Sequence, residues 1–81
     1  MQLTEIMIPE IRRRIYYVNQ FDIKVTYLKR YILQTVFGGL SRDISEYFII
    51  DTDSMEVISD ETIIGLDGSN VGSQLLLIRK E

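Results

Sequence analysis

The last part of the chain is a segment that is apolar on both of its faces. Residues 75–78 read LLLI within a predicted strand over 73–81, so branched apolar side chains stand on both parities. Successive side chains of a strand point to opposite sides of a sheet, and a strand with one wet face alternates apolar and polar residues. A continuous apolar run indicates that both faces, or both edges, are covered. We therefore predict that this segment lies in the middle of a sheet.

Two strands are predicted at the start of the chain. Residues 3–8 and 11–18 are rich in β-branched and aromatic residues, and the turn signal Pro9-Glu10 separates them. Neither parity of residues 11–18 is uniformly apolar. We therefore expect either a β-bulge near Arg14 or an arginine-rich end that lies beyond the core.

An amphipathic helix is predicted next, and it runs to about Phe37. Asp22 is placed as its N-cap, because a carboxylate there accepts hydrogen bonds from first-turn amides. Apolar residues at helical spacing form one stripe, which consists of Val25, Leu28, Ile32 and Val36, with Leu33 and Tyr31 on its borders. Lys29 lies beside this stripe, so we expect its methylenes along the core edge and its ammonium in water. Gly38-Gly39 supplies the positive φ that ends the helix.

A second hairpin is predicted after the helix. Residues 46–51 and 55–58 are its strands, and the sequence DTDS between them carries side chains that hydrogen-bond their own backbone. Residues 40–45 connect the helix to this hairpin, and residues 59–66 form a compact turn before the last strand. The residues expected to anchor the two connections are Leu40 and Ile44 in the first and Thr62, Ile63 and Leu66 in the second.

The composition argues against an enzyme. The 81 residues, 46% of them hydrophobic, predict one globular domain spanning 1–81, and they include no cysteine and no histidine. The commonest nucleophile and the commonest general base are therefore missing, and no cofactor is expected. Asp51-x-Asp53 resembles the start of a calcium loop, but Thr62 stands at the twelfth position and no metal site is expected. No apolar run approaches the ~18 residues of a membrane span, so a cytoplasmic protein is expected.

The charge is distributed unevenly along the chain. Residues 1–42 carry seven basic and three acidic residues, whereas residues 43–81 carry two basic and nine acidic residues. Such a chain could associate weakly with copies of itself, with the basic second strand against the acidic 51–61 turn. Alternatively, the two halves intermix in the fold and no large face of one sign exists. The sequence pI of about 4.8 argues against nucleic acid as a partner.

A protein partner is the expected ligand. Arginine and tyrosine are over-represented among residues that carry binding energy, and both occur at positions that the core does not require. The candidate partner surface consists of Arg12, Arg13, Arg14, Tyr27, Arg30 and Tyr31. The alternatives are a solvated basic strand and tyrosines that only cover the core edge.

The order of elements, β-β-α-β-β-β with a buried last strand, predicts an α+β fold of the ubiquitin-like β-grasp type, with a mixed sheet of four or five strands over one helix. Residues 11–78 resemble the YukD/EsaB family of small ubiquitin-like proteins. The resemblance rests on VxxLxxxIL in the helix at residues 25–33, YFII at residues 47–50, and DETIIGL at residues 60–66 leading to VGSQLLLI at residues 71–78.

This resemblance implies a function. Family members are cytoplasmic accessory components of type VII secretion systems of Gram-positive bacteria, so a non-enzymatic role is implied, in contact with the membrane secretion machinery. The family lacks the terminal Gly-Gly of conjugated modifiers, and this sequence ends in Arg79-Lys80-Glu81. We therefore expect that the chain is not attached to other proteins through its C-terminus.

Overall fold

The computed structural model describes residues 2–19, 21–38, 42–65 and 74–80. In this part of the chain the protein is α+β, with one α-helix and a mixed five-stranded sheet. The helix and strands are β1 (Gln2–Ile8), β2 (Arg13–Asn19), β3 (Ile23–Lys24), α1 (Val25–Phe37), β4 (Tyr47–Asp51), β5 (Glu56–Ile58), β6 (Ile63–Ile64) and β7 (Gln74–Arg79). Single 3₁₀ turns lie at Pro9–Ile11 and Ile44–Glu46.

The last strand lies in the middle of the sheet, as predicted. The strand order is β2-β1-β7-β4-β5, so both edges of β7 are paired. It runs parallel to β1 and antiparallel to β4, and the other neighbours are antiparallel. The short strands β3 and β6 form a separate antiparallel ladder.

The core lies between α1 and one face of the sheet. Alternate residues of β1, β4 and β7 point toward the helix, and the fully buried apolar ones are Ile6, Ile8, Tyr47, Ile49, Leu75 and Leu77. The helix contributes Val25, Leu28 and Ile32, which are fully buried, and Leu33 beside them. The predicted stripe is therefore confirmed over most of its length. Val36 is only partly buried, and Tyr31 is exposed.

The second strand contains no bulge and begins later than predicted. Its ladder with β1 pairs without interruption from Gln2 opposite Asn19 to Ile8 opposite Arg13. Arg14, near which a bulge was expected, pairs regularly with Met7. Arg12 lies in the turn before β2, where it has φ 54° and its N–H donates to the Pro9 carbonyl at 3.1 Å. The other expectation, an arginine-rich end beyond the core, is confirmed.

The start of the helix was predicted wrongly. Lys24, not Asp22, is the N-cap residue, and its side chain makes no capping bond. The turn after β5 takes over this role, because the N–H of Val25 donates to the Thr62 carbonyl at 2.9 Å and that of Thr26 donates to the Asp60 carbonyl at 3.2 Å. Backbone carbonyls from a distant segment thus satisfy first-turn amides, which a local sequence pattern does not reveal.

The helix end and the hairpin follow their predictions. Gly38 has φ 59°, and its N–H donates to the Gln34 carbonyl at 3.0 Å; Gly39 lies outside the described residues. In the turn between β4 and β5, the Asp51 carboxylate accepts a hydrogen bond from the N–H of Asp53 at 2.9 Å.

The plug of the 59–66 turn is a different residue from those predicted. Ile64 is 1% exposed and belongs to the core, whereas Ile63 is 53% exposed. Pairing of β6 with β3 sets this alternation, because Ile64 stands opposite Ile23, which packs against the core. Thr62 is partly buried and Leu66 lies outside the described residues. In the connection before β4, Ile44 packs against the core as expected, and Leu40 also lies outside the described residues.

The Lys29 ammonium does not reach water, contrary to prediction. The side chain is 1% exposed, and Nζ lies 2.7 Å from a carboxylate oxygen of Asp60. Nζ also donates to the carbonyls of Tyr47 at 3.0 Å and Ile44 at 3.2 Å. The segment before β4 turns these two carbonyls toward the helix, so the buried charge has a full set of acceptors. This side chain joins the helix to β4 and to the turn that caps it.

We predict that Leu28→Ala and Ile32→Ala each lower the free energy of unfolding by about 2–4 kcal/mol, because each leaves a cavity in the core. Tyr27→Ala should cost much less, since Tyr27 is 55% exposed. Urea unfolding of the three variants checks this. Equal losses for Tyr27 and Leu28 would show that the helix presents a different face to the sheet.

We also predict that Lys29→Met lowers the free energy of unfolding by about 2–4 kcal/mol, because it keeps the stem but removes the ammonium that donates to the buried Tyr47 carbonyl and pairs with the Asp60 carboxylate. Lys24→Met is the matched control. Lys24 pairs with Glu61 at 3.3 Å, but the two side chains are 41% and 78% exposed, so its loss should cost about 0–1 kcal/mol. Similar unfolding curves for both variants would contradict the structural role of Lys29.

Candidate functional site

The face of the sheet that points away from the helix carries a band of apolar side chains. The register places Met7, Leu76, Ile50 and Val57 side by side across four strands, and Ile78 stands beside Phe48. We call this band the outer sheet face, and it consists of Met7, Phe48, Ile50, Val57, Leu76 and Ile78.

The outer sheet face is not part of the core. Val57 is 60% exposed and the other five residues are partly buried. None of the six belongs to the core cluster or to the partly buried residues that pack against it. Among the described residues, no helix or strand forms a second layer over this face.

A polar strip borders the outer sheet face on the side of the β4–β5 turn. Arg14 forms an ion pair with Glu5 at 3.4 Å, and the Gln74 amide donates to the Glu5 carboxylate at 3.3 Å. The Thr52 hydroxyl continues the strip by donating to the Gln74 carbonyl at 3.0 Å. An apolar patch with a polar rim is typical of a protein-binding surface.

The sequence contains a signal for this surface, which was interpreted differently. The LLLI run of β7 was expected to have covered faces or covered edges. Both edges are paired, but only Leu75 and Leu77 are fully buried, on the helix side. Leu76 and Ile78 remain partly exposed on the other side. Strand β4 has the same double-sided apolar pattern, so the two strands together place apolar side chains on a face that no described helix or strand covers.

The predicted partner surface falls into two groups. Arg12, Arg13 and Arg14 are exposed at the turn end of β2. Tyr27, Arg30 and Tyr31 are exposed on α1, where the Arg30 guanidinium carbon lies 5.8 Å from the centre of the Tyr27 ring. No ion pair, hydrogen bond or ring contact joins the two groups within the described residues.

A groove runs between the edge strand β2 and the helix. Its lining, which we call the edge groove, consists of Tyr16, Tyr17, Val18, Phe21, Ile23 and Tyr31. The rings of Tyr17 and Tyr31 meet edge to face with centres 5.8 Å apart. Burial raises the pKa of Tyr17, and its buried hydroxyl has no hydrogen-bond partner among the described residues. Tyr31 is the residue of this groove that sequence analysis had selected.

Glu10 is the centre of a charged cluster at the other end of the sheet. Its carboxylate accepts a hydrogen bond from the Tyr47 hydroxyl at 2.7 Å, and ion pairs with Arg79 at 3.1 Å and Arg42 at 3.6 Å. The Tyr47 bond is the main cause that lowers the pKa of Glu10, and the two guanidiniums add to it. Burial raises the pKa of Tyr47. Every acceptor is engaged within the fold, so this cluster fastens the β1–β2 turn to β4 and β7.

Some of the charges are paired between the two halves of the chain. Lys24 with Glu61, Lys29 with Asp60, and Arg79 with Glu10 each join an early residue to a late one. The uneven charge of the sequence is thereby partly neutralised in the fold. Within the described residues, no three carboxylates are placed to hold a metal ion, and the helix there is too short and too polar to cross a membrane.

No protein-family model matches the chain, and no curated protein or solved structure matches it either. The functional argument therefore rests on the geometry of the described residues. The two surfaces that stand out are the outer sheet face and the edge groove.

We predict that Glu10→Gln flattens the acid limb of the stability curve. The folded pKa of Glu10 is lowered, so its contribution is present above the unfolded carboxyl pKa and is lost as pH falls through the folded pKa. Thermal unfolding across the carboxyl range measures this slope. Tyr47→Phe removes the main cause of the shift and should flatten the limb in the same direction. An acid limb unchanged in Glu10→Gln would contradict the assignment.

Proposed function

We propose that the chain is a ubiquitin-like β-grasp domain that acts as a non-enzymatic protein-interaction module. The β-grasp assignment draws support from the strand order β2-β1-β7-β4-β5, with the first and last strands parallel at its centre. It is also supported by a single helix that follows β2 and packs on one face of this sheet.

The observation that carries the proposal is the outer sheet face. When a partner covers apolar surface that is in contact with water, each Å² covered contributes about 25 cal/mol of favourable free energy to binding. Strands lie about 4.8 Å apart, so the four strands of this face span roughly 15 Å, enough for one helix of about 10 Å diameter. The partner we propose is therefore a protein segment with an apolar stripe, bound across β7, β4 and β5.

The resemblance to the YukD/EsaB family supplies the proposed process. In this proposal the protein is a cytoplasmic accessory or regulatory component of a Gram-positive type VII secretion system, and its partner belongs to the membrane secretion machinery. A second copy of the chain is the alternative occupant of the outer sheet face. Charge-driven self-association is less favoured, because Lys24 and Lys29 already pair with Glu61 and Asp60 inside the fold.

We predict that Val57→Asp weakens partner capture at least about fivefold, because a desolvated carboxylate opposes burial of this face. Val57 is exposed on an edge strand, so the free energy of unfolding should change by less than about 1 kcal/mol. The measurement is a pull-down with the intact chain from cells of its source, in which the captured secretion components are quantified by mass spectrometry.

Tyr27→Ser is the matched control, because Tyr27 is comparably exposed but lies on the helix. Its capture should equal that of the parent. Loss of capture with Tyr27→Ser and not with Val57→Asp would move the contact to the helix and overturn the proposal. The remaining case is that a second copy of the chain occupies the outer sheet face. Sedimentation identifies it, because the parent would then self-associate more strongly than Val57→Asp.

A further inference from the structure

Within the described residues, the outer edge of β2 is a free sheet edge. This strand is outermost in the order β2-β1-β7-β4-β5, and no other described strand pairs with its far side. It has seven residues in uninterrupted register, whereas β5 at the opposite edge has three. A long regular edge presents a row of backbone donors and acceptors to which another strand can add.

The edge groove lies directly beside this free edge. It is an open depression of about 270 Å³ with aromatic and aliphatic walls from β2, the following segment and α1. Tyr16 and Phe21 are exposed at its rim, at 58% and 57%. A strand added to β2 would project alternate side chains toward this groove, because side chains of a strand alternate between the two faces.

The Tyr17 hydroxyl is an independent indication that a hydrogen-bonding group is missing from the edge groove. Tyr17 is 8% exposed, and its hydroxyl is buried with no hydrogen-bond partner among the described residues. Buried hydroxyl groups are normally paired, because an unpaired one costs about 1–3 kcal/mol. A polar group of a ligand in the groove would supply the partner.

The charge at the start of β2 specifies the ligand further. Arg12, Arg13 and Arg14 are all exposed, and Arg12 and Arg13 form no ion pair with any described residue. Three consecutive arginines at the start of an otherwise uncharged strand, two of them without an ion pair among the described residues, favour acidic side chains at that end of a partner.

We infer that the free edge of β2 binds an extended peptide segment of a partner protein, in which acidic residues stand beside β-branched apolar residues. The backbone of the segment adds to β2 as a sixth strand. Its acidic end lies against Arg12 to Arg14, its apolar residues cover the edge groove, and one of its polar groups bonds the Tyr17 hydroxyl. This contact is separate from the outer sheet face and does not depend on the function proposed for that face.

The test uses the intact chain, labelled with ¹⁵N, and synthetic peptides that join a block of aspartates to a block of alternating valine and isoleucine. Peptides with the acidic block at either end cover both strand directions. At about 1 mM peptide, where even weak strand addition is visible, amide shifts are expected at residues 13–19 and on the facing side of α1. No shift, or shifts confined to β4 and β5, would overturn the inference.

Two altered peptides test the mode of binding. A twin with lysines in place of aspartates should bind at least about tenfold more weakly, because it meets three arginines of the same sign. A second altered peptide is N-methylated at alternate residues. There are two such alternating sets, and methylation of the set whose N–H groups face β2 should abolish binding. Equal binding of all these peptides would rule out strand addition at this edge.

Variants of the chain test the residues. Arg13→Glu should weaken peptide binding about tenfold, and Lys80→Glu, with the same change in net charge, should not. Tyr17→Phe removes only the hydroxyl, so the free chain should be as stable as the parent or more stable, while peptide binding weakens. Val57→Asp should leave peptide binding unchanged, which separates this contact from the outer sheet face. Equal affinities of the parent, Arg13→Glu and Tyr17→Phe would overturn the inference.

Discussion

One helix has to cover a sheet whose central strands are apolar on both sides. Helix α1 has thirteen residues and is about 20 Å long, enough to close one face of five short strands. The buried residues of β4 and β7 all lie on that face. The alternate residues of the same strands, such as Leu76 and Ile50, lie on the other face, which no described helix or strand covers. One helix of this length can close only one side of such a sheet.

The position of the helix depends on polar contacts as well as on the apolar stripe. Lys29 binds the carbonyls of Ile44 and Tyr47 and the carboxylate of Asp60, so it fixes α1 against both β4 and the turn after β5. The same turn accepts the first-turn amides of the helix, beginning with Val25. A buried lysine in a small core is tolerated because its ammonium has three acceptors, which are two backbone carbonyls and one carboxylate.

Sequence patterns with a clear period predicted the fold well. The helix stripe, its end at Gly38, the hairpin and the central position of β7 all follow from local side-chain spacing or turn chemistry. The errors occurred where distant segments meet. The start of the helix and the burial of Ile64 rather than Ile63 depend on the β3–β6 ladder. The burial of the Lys29 ammonium depends on carbonyls fifteen and eighteen residues away. The outer sheet face was not among the predicted partner residues, because those were chosen by residue type and the exposure of one sheet face is a property of the assembled layers.

The two proposed contacts approach the sheet from different directions. The outer edge belongs to β2, and the outer sheet face runs from Met7 on β1 to Val57 on β5, which is four strand spacings or roughly 19 Å from β2. A segment added to β2 would extend the sheet outward in its plane, whereas a segment on the outer sheet face would stack above it. Under the two proposals neither contact excludes the other, so the domain would hold two partner segments at once.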